Sequence, residues 1–186
     1  PSQISLGSYL FKAKMKFREQ ERIGSCSFVV EREPEYYGKI LSDLENKSKE
    51  LKVAIKAALE AGKILEKYFE TEILKDFKED KSIVTLADKE SEQVIKSILL
   101  KEFPEHSLLG EETGMTENKS DYVWYVDPVD GTRNFANAFP LFVVSIALAY
   151  KGELIVGVIY NPATRSLFYA EKGKGPILYH SSAGFN

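Results

Sequence analysis

Tyr122-Val123-Trp124-Tyr125-Val126-Asp127-Pro128-Val129-Asp130-Gly131-Thr132-Arg133-Asn134-Phe135 is the stretch on which the reading of this chain turns. Its first five residues are an unbroken apolar run of the kind that makes a buried strand. The carboxylates of Asp127 and Asp130 then emerge three positions apart, where the chain leaves the sheet. Pro128 fixes its own backbone angle and biases Asp127 toward an extended conformation. Gly131 supplies a tight turn with room for close approach. If a helical turn opens at this point, the N–H groups of Gly131 and Thr132 face an anion. Hard carboxylate oxygens beside such a cradle point to a divalent cation holding a phosphate.

Upstream of this stretch the period is helical. Leu51, Ile55, Ala58, Gly62, Leu65 and Phe69 recur at helical spacing and predict a helix from Lys49 to Phe69. Thr85-Leu86-Ala87-Asp88 has the form of a capping box and predicts a second helix to about Glu102, with Val94, Ile95, Ile98 and Leu99 inward and Pro104 beyond its end. On that reading Asp88 falls in the first helical turn, where a carboxylate is also a plain cap. Downstream the pattern shifts to strands: Ser107–Leu109, Tyr122–Val126, Leu141–Tyr150, Glu153–Tyr160 and Leu167–Ala170, with Lys151-Gly152 as a hairpin turn. Helices first and strands later predict an α+β fold, two long helices packed on an antiparallel meander, rather than a doubly wound parallel sheet. Trp124 and Tyr125 read as strand packing, and His106 as a surface or capping histidine.

The chain has 186 residues, 44% hydrophobic and 28% charged, enough for one ordinary domain with a sizeable core. A net charge of −3 supplies no field for a polyanion, so nucleic acid is not expected as a partner. Cys26 is the only cysteine, which excludes an intrachain disulfide and a cysteine-rich metal site. No apolar run reaches transmembrane length and no signal-peptide core is evident, so no membrane partner and a cytoplasmic location are expected. Lys12, Lys14, Lys16 and Arg18 alternate with Phe11, Ala13, Met15 and Phe17, the pattern of a strand with one solvated face. Residues 1–46 are left as an unassigned first unit that could make a hairpin of Phe11–Phe17 with Ile23–Val30 followed by a helix entered at Pro34. Ser42-Asp43-Leu44-Glu45 offers a further capping box near its boundary. The second unit spans 47–186.

Asp127-Pro128-Val129-Asp130-Gly131-Thr132-Arg133-Asn134-Phe135 resembles the signature of the inositol monophosphatase family of magnesium-dependent, lithium-sensitive sugar phosphatases. Two more blocks resemble the family's in the same order: Leu109-Gly110-Glu111-Glu112, its Gly-Glu-Glu metal motif, and Ile83-Val84-Thr85-Leu86-Ala87-Asp88-Lys89-Glu90, its upstream segment ending near the attacking water. The resemblance runs from about Lys49 to Gly175. It implies the layered sugar-phosphatase fold, two or three Mg²⁺ ions as cofactors, a small phosphate monoester as substrate with inositol monophosphate as the default, and a homodimer. It further implies that Glu111, Asp127 and the Val129 carbonyl hold one metal, that Asp127 bridges to a second bound by Asp130, and that Thr132 and Asp88 hold the nucleophilic water with Glu111 close by. The amides of Gly131 and Thr132 would grip phosphate oxygens. Glu112 reads either as a support for these ligands or as an exposed neighbour. Lys78 and Lys81 compete for a phosphate-proximal role that a solvated loop explains as well, and Arg133 is equally consistent with a surface ion pair.

Family members carry a further metal-binding aspartate in a Trp-Asp context of the carboxyl-terminal half. No Asp follows Asp130 here, and Trp124 is the only Trp. The chain is therefore expected to be a fragment with impaired activity, lacking the carboxyl-terminal α/β half, with a rearranged member as the alternative. Within the family, fructose 1,6-bisphosphate, histidinol phosphate and a 3′-phosphonucleotide are competing substrates. From another class, a non-catalytic metal- or anion-binding module remains open.

Overall fold

The computed structural model describes Ile40, residues 43–70 and residues 81–180. The expected hairpin of 11–17 with 23–30, most of the helix entered at Pro34, Cys26, Lys78 and the tail beyond residue 180 lie outside the described residues, as does the side chain of Lys81. Helix α1 (Lys49–Glu70) forms where its apolar spacing placed it, and Leu51, Ile55, Ala58, Leu65 and Phe69 are all buried. Ser42, the first residue of the possible capping box at 42–45, lies outside the described residues. Ile40 and Asp43 are helical, 44–46 turn, and the cap is Ser48, whose hydroxyl accepts the Leu51 N–H at 3.1 Å. The reciprocal carboxylate of this cap comes from far along the chain: Glu171 accepts the Ser48 N–H at 3.0 Å.

Helix α2 (Lys81–Glu102) runs antiparallel to α1, with Lys49 at the start of one paired to Glu102 at the end of the other at 3.0 Å. It begins four residues before Thr85, so the expected cap at Thr85–Asp88 is not the helix start. Asp88 lies two turns inside the helix, where it has no role as a cap. The buried line of α2 is Ala87, Asp88, Ser91, Glu92, Ile95 and Leu99. Val94 and Ile98, expected inward, are only half-buried. The first half of the inward stripe is therefore polar, and Glu92 is fully buried.

Seven strands follow: β1 (Ser107–Gly110), β2 (Gly114–Thr116), β3 (Tyr122–Asp130), β4 (Val143–Tyr150), β5 (Glu153–Asn161), β6 (Ser166–Glu171) and β7 (Gly175–His180), with a short helix α3 (Thr132–Ala136) between β3 and β4. They form one sheet in the order β2-β1-β3-β4-β5-β6-β7. From β3 to β7 it is the expected antiparallel meander, but β1 lies parallel to β3, so the sheet is mixed. The short edge strand β2 causes this: it turns the chain back beside β1, and residues 117–121 recross to start β3 in the direction of β1. Asn118 fastens that crossing, its N–H donating to Ser107 Oγ at 3.0 Å and its side-chain amide to the carbonyls of Pro104 and His106 at 3.1 and 2.8 Å. β7 was not expected either. Pro176 lies on the outermost strand, the position where a missing N–H is tolerated. The Lys151-Gly152 turn has positive φ at both residues (51° and 80°), as a two-residue hairpin requires.

The helices cover one sheet face. Phe69 of α1, Phe135 of α3 and Phe142 meet with ring centroids 4.9–5.6 Å apart and lock the turn after β3 onto the helix layer. No described helix is long and apolar enough to cross a membrane. His106 is not at the surface. It is buried between the rings of Phe103 (4.8 Å) and Tyr122 (4.5 Å), and its Nδ1 accepts the Trp124 indole N–H at 3.1 Å. That bond needs an unprotonated Nδ1, and burial pushes the imidazole below its ordinary value. Tyr125 faces the other way and is exposed, so only Trp124 is core.

A histidine whose folded-state pKa is depressed favours folding above its unfolded value and loses that contribution as pH falls below about 6.5. In urea titrations, the stability advantage of the wild type over His106→Gln should shrink as pH drops from 7.5 to 5. At pH 8, His106→Ala, which opens a void and orphans the indole N–H, should cost roughly 2–4 kcal/mol.

Candidate metal and phosphate site

β3 does not end at Val126 but continues through Asp130, with an irregularity between Asp127 and Asp130. In a regular strand, residues three apart point to opposite faces. Here Asp127 pairs with Ser145 and Asp130 with Val143, so three steps on β3 match two on β4. The extra residue is a β-bulge, and it returns Asp130 to the face that Asp127 occupies. Asp127 holds the bulge from within: its Oδ1 accepts the Val129 N–H at 3.0 Å, an Asx turn across Pro128. Both carboxylates therefore belong to the sheet face away from the helices.

Glu111 reaches the same place from the end of β1. The parallel pairing sets Gly110 beside Val126, and the Glu111 N–H donates to the Val126 carbonyl at 3.1 Å, extending the ladder by one bond. A 360 Å³ concavity opens there, lined by Leu109, Glu111, Tyr125, Asp127, Ser145 and Ala147 among others. Burial, a hydrogen bond to Glu111, the Glu111 charge and that of Asp130 push Asp127 up to about 7, against the opposing pull of the Val129 N–H. Asp88 arrives from α2. Burial and then the charges of Glu112, Glu111 and Glu92 push it up to about 7 as well. Among the described residues, no lysine or arginine contributes to either group.

After the bulge, Gly131 adopts a left-handed conformation (φ 96°) as the residue before α3. Helical geometry leaves the N–H groups of Gly131, Thr132 and Arg133 without partners inside α3. The Thr132 hydroxyl donates to the Val129 carbonyl at 3.0 Å, so two groups expected to act separately, one on a water and one on a metal, are bonded to each other. Asn134 closes the turn, its side-chain amide donating to the Leu141 carbonyl at 2.6 Å.

Of the expected residues, Glu111 and Asp127 are thus in contact, Asp88 faces the Glu111-Glu112 turn, and Asp130 is exposed on the rim. Among the described residues no three His, Cys, Asp or Glu side chains close into a ligand cage. The donor set nonetheless suits a hard cation, since it is all oxygen and crowded, with no basic counterpart among the described residues. Mg²⁺ commonly takes one or two carboxylates and fills its remaining positions with water and substrate.

The model of the inositol monophosphatase family matches residues 46–182. The chain belongs to this family. The Aquifex aeolicus protein named fructose-1,6-bisphosphatase/inositol-1-monophosphatase is 42% identical over 134 residues, which are 71% of this chain and 51% of that protein. The Pasteurella multocida Nus factor SuhB is 41% identical over 67% of this chain and 48% of its own length. Among solved structures, CysQ from Bacteroides thetaiotaomicron, titled a bacterial member of the inositol monophosphatase family, superposes with a TM-score of 0.66 at 33% identity, over 76% of this chain and 52% of CysQ. The chain spans about half the length of the curated relatives it matches.

One residue beside these carboxylates was missed in the sequence. Glu92 receives the N–H of Glu112 at its Oε2 and that of Thr113 at its Oε1, each at 2.8 Å. Its only sequence signal is a carboxylate four residues after Asp88, on the same helical face.

Two outcomes follow from this geometry. A carboxyl whose folded-state pKa is raised stays protonated in the folded chain at pH values where the unfolded chain has ionised. Stability should therefore fall as pH rises from about 4 toward about 7 in cation-free buffer, and Asp127→Asn should flatten that fall in denaturant titrations. At Gly131, an added Cβ would sit 2.8 Å from the Leu141 carbonyl oxygen and 3.2 Å from Phe142 Cα, at a φ unfavourable for side chains. Gly131→Ala should cost roughly 1–3 kcal/mol by thermal unfolding.

Proposed function

We propose that the protein containing these residues is a Mg²⁺-dependent phosphatase of small phosphate monoesters, with inositol monophosphate as the leading substrate. The observation that carries this reading is the convergence of Glu111 and Asp127 on one concavity, two carboxylates that oppose each other's charge with no basic residue beside them among the described residues. Family membership and the phosphatase name of the Aquifex relative support the reaction class. Glu111, Asp127, the Val129 carbonyl and Asp130 would hold the cation. When bound, Mg²⁺ supplies Lewis acidity and positive charge where a phosphate ester carries negative charge.

The chain's own groups have separate tasks. The N–H groups of Gly131 and Thr132 would donate to phosphate oxygens at the start of α3. Asp88, buried among carboxylates, holds or releases a proton near neutral pH and orients a water together with the Thr132 hydroxyl. The concavity beside Glu111 and Asp127 opens onto a sheet face on which Ile159, Phe168 and Leu178 are 44%, 46% and 56% exposed.

The name of the Aquifex relative favours one second reading, hydrolysis of fructose 1,6-bisphosphate. Phosphate release from inositol 1-phosphate and from fructose 1,6-bisphosphate, measured with the complete protein and Mg²⁺, separates the two. Asp127→Asn should lower kcat by about 100–1000-fold with the fold intact by circular dichroism. Full activity in that variant removes Asp127 from the mechanism, and no release from either ester or from histidinol phosphate ends the phosphatase reading.

A further inference from the structure

Glu92 lies on the inward face of α2 and is fully buried, yet among the described residues no lysine, arginine or histidine pairs with it. A carboxylate in such a place is costly unless hydrogen bonds replace its water. The replacement comes from two consecutive backbone amides, one to each oxygen, donated by Glu112 and Thr113 at 2.8 Å. Those amides belong to the turn joining β1 to β2, which carries Glu111 at its first position. The turn is thus held at two points, by the Glu111 N–H on the Val126 carbonyl and by the Glu92 clamp just after it. The side chain between them has little choice but to face Asp127.

Gly110 completes the fit. A Cβ added there would land on the Glu92 carboxylate, 2.6 Å from its carboxyl carbon. The φ of Gly110 is not positive, so this glycine is required by the close approach of Glu92 and not by its backbone angle.

We propose that Glu92 is a positioning residue that acts through the backbone: its carboxylate grips the 110–113 turn and so presents Glu111 to Asp127. The functional consequence rests on Glu111 being a cation ligand, the reading given above, whereas the grip on the turn is independent of it.

Glu92→Gln in the 186-residue chain keeps the size of the side chain but can accept only one of the two amides well. Amide hydrogen exchange followed by NMR should then accelerate at Glu112 and Thr113 by at least about tenfold, the effect of losing one charge-assisted bond. Amides in α1 and β4 should be unchanged. Mg²⁺ affinity by calorimetry should weaken by a similar factor. Gly110→Ala displaces the same carboxylate without altering any charge and should reproduce both effects. Combined with Glu92→Gln, it should add little to either. Exchange that is unchanged at these two amides, or that rises equally everywhere, overturns the proposal in either variant. Faster exchange with unaltered Mg²⁺ affinity also overturns it, because the turn would then not set Glu111. If the wild-type chain binds no Mg²⁺, the cation-site reading fails by itself, and exchange in the two variants still decides whether Glu92 holds the turn.

Discussion

Like charges held together at the end of a sheet are the constraint to which the rest of this structure answers. Asp88, Glu111, Glu112 and Asp127 converge from α2, the β1–β2 turn and β3, with Glu92 buried behind them. Two of the carboxyls are pushed to about 7 by burial and by their neighbours. Nothing in such a cluster favours folding, so its geometry must be imposed from outside by groups with better reasons to stay in place. Regions of this kind lower stability in return for a function, and a site for a hard cation is the function that the donor set fits.

The imposition is made by the backbone. A bulge over Asp127–Asp130 sends two acids to one face, and the Asx turn of Asp127 supports it. Parallel pairing of β1 with β3 sets the Glu111 backbone against Val126. The aromatic cluster of Phe69, Phe135 and Phe142 ties the following turn to α1. Apolar burial in the helix layer and ladder hydrogen bonds in the sheet thus position the acids, which is why the site lies on rigid elements and not on a long loop.

Much of the scaffold could be read in the residues. Leu51 to Phe69 marked α1 to within a residue, and the runs at Ser107, Tyr122, Leu141, Glu153 and Leu167 marked five of the strands. The Asp127–Thr132 and Gly110–Glu112 motifs indicated where acids and amides gather. The errors have physical causes. The start of α2 was expected at Thr85 because capping chemistry is local, whereas the helix begins at Lys81. β2 has three residues and carries no period of its own. His106 was assigned to the surface because histidine is ambivalent about burial; two flanking rings and an indole N–H brought it inside.

What this chain's sequence determined by itself was the inventory: which segments are helical or extended, where acids cluster along the chain, and which family pattern they follow. Those properties are local, set by side-chain period and by residues such as Pro128 and Gly131 that restrict or free their own backbone angles. Only the tertiary structure decided that β1 runs parallel to β3, that Asp127 and Asp130 share a face, and that Glu92 clamps a turn twenty residues away. Each of these depends on register and on contacts between distant segments. A single residue inserted at a bulge reverses a side chain's direction, and no periodicity in the sequence records it.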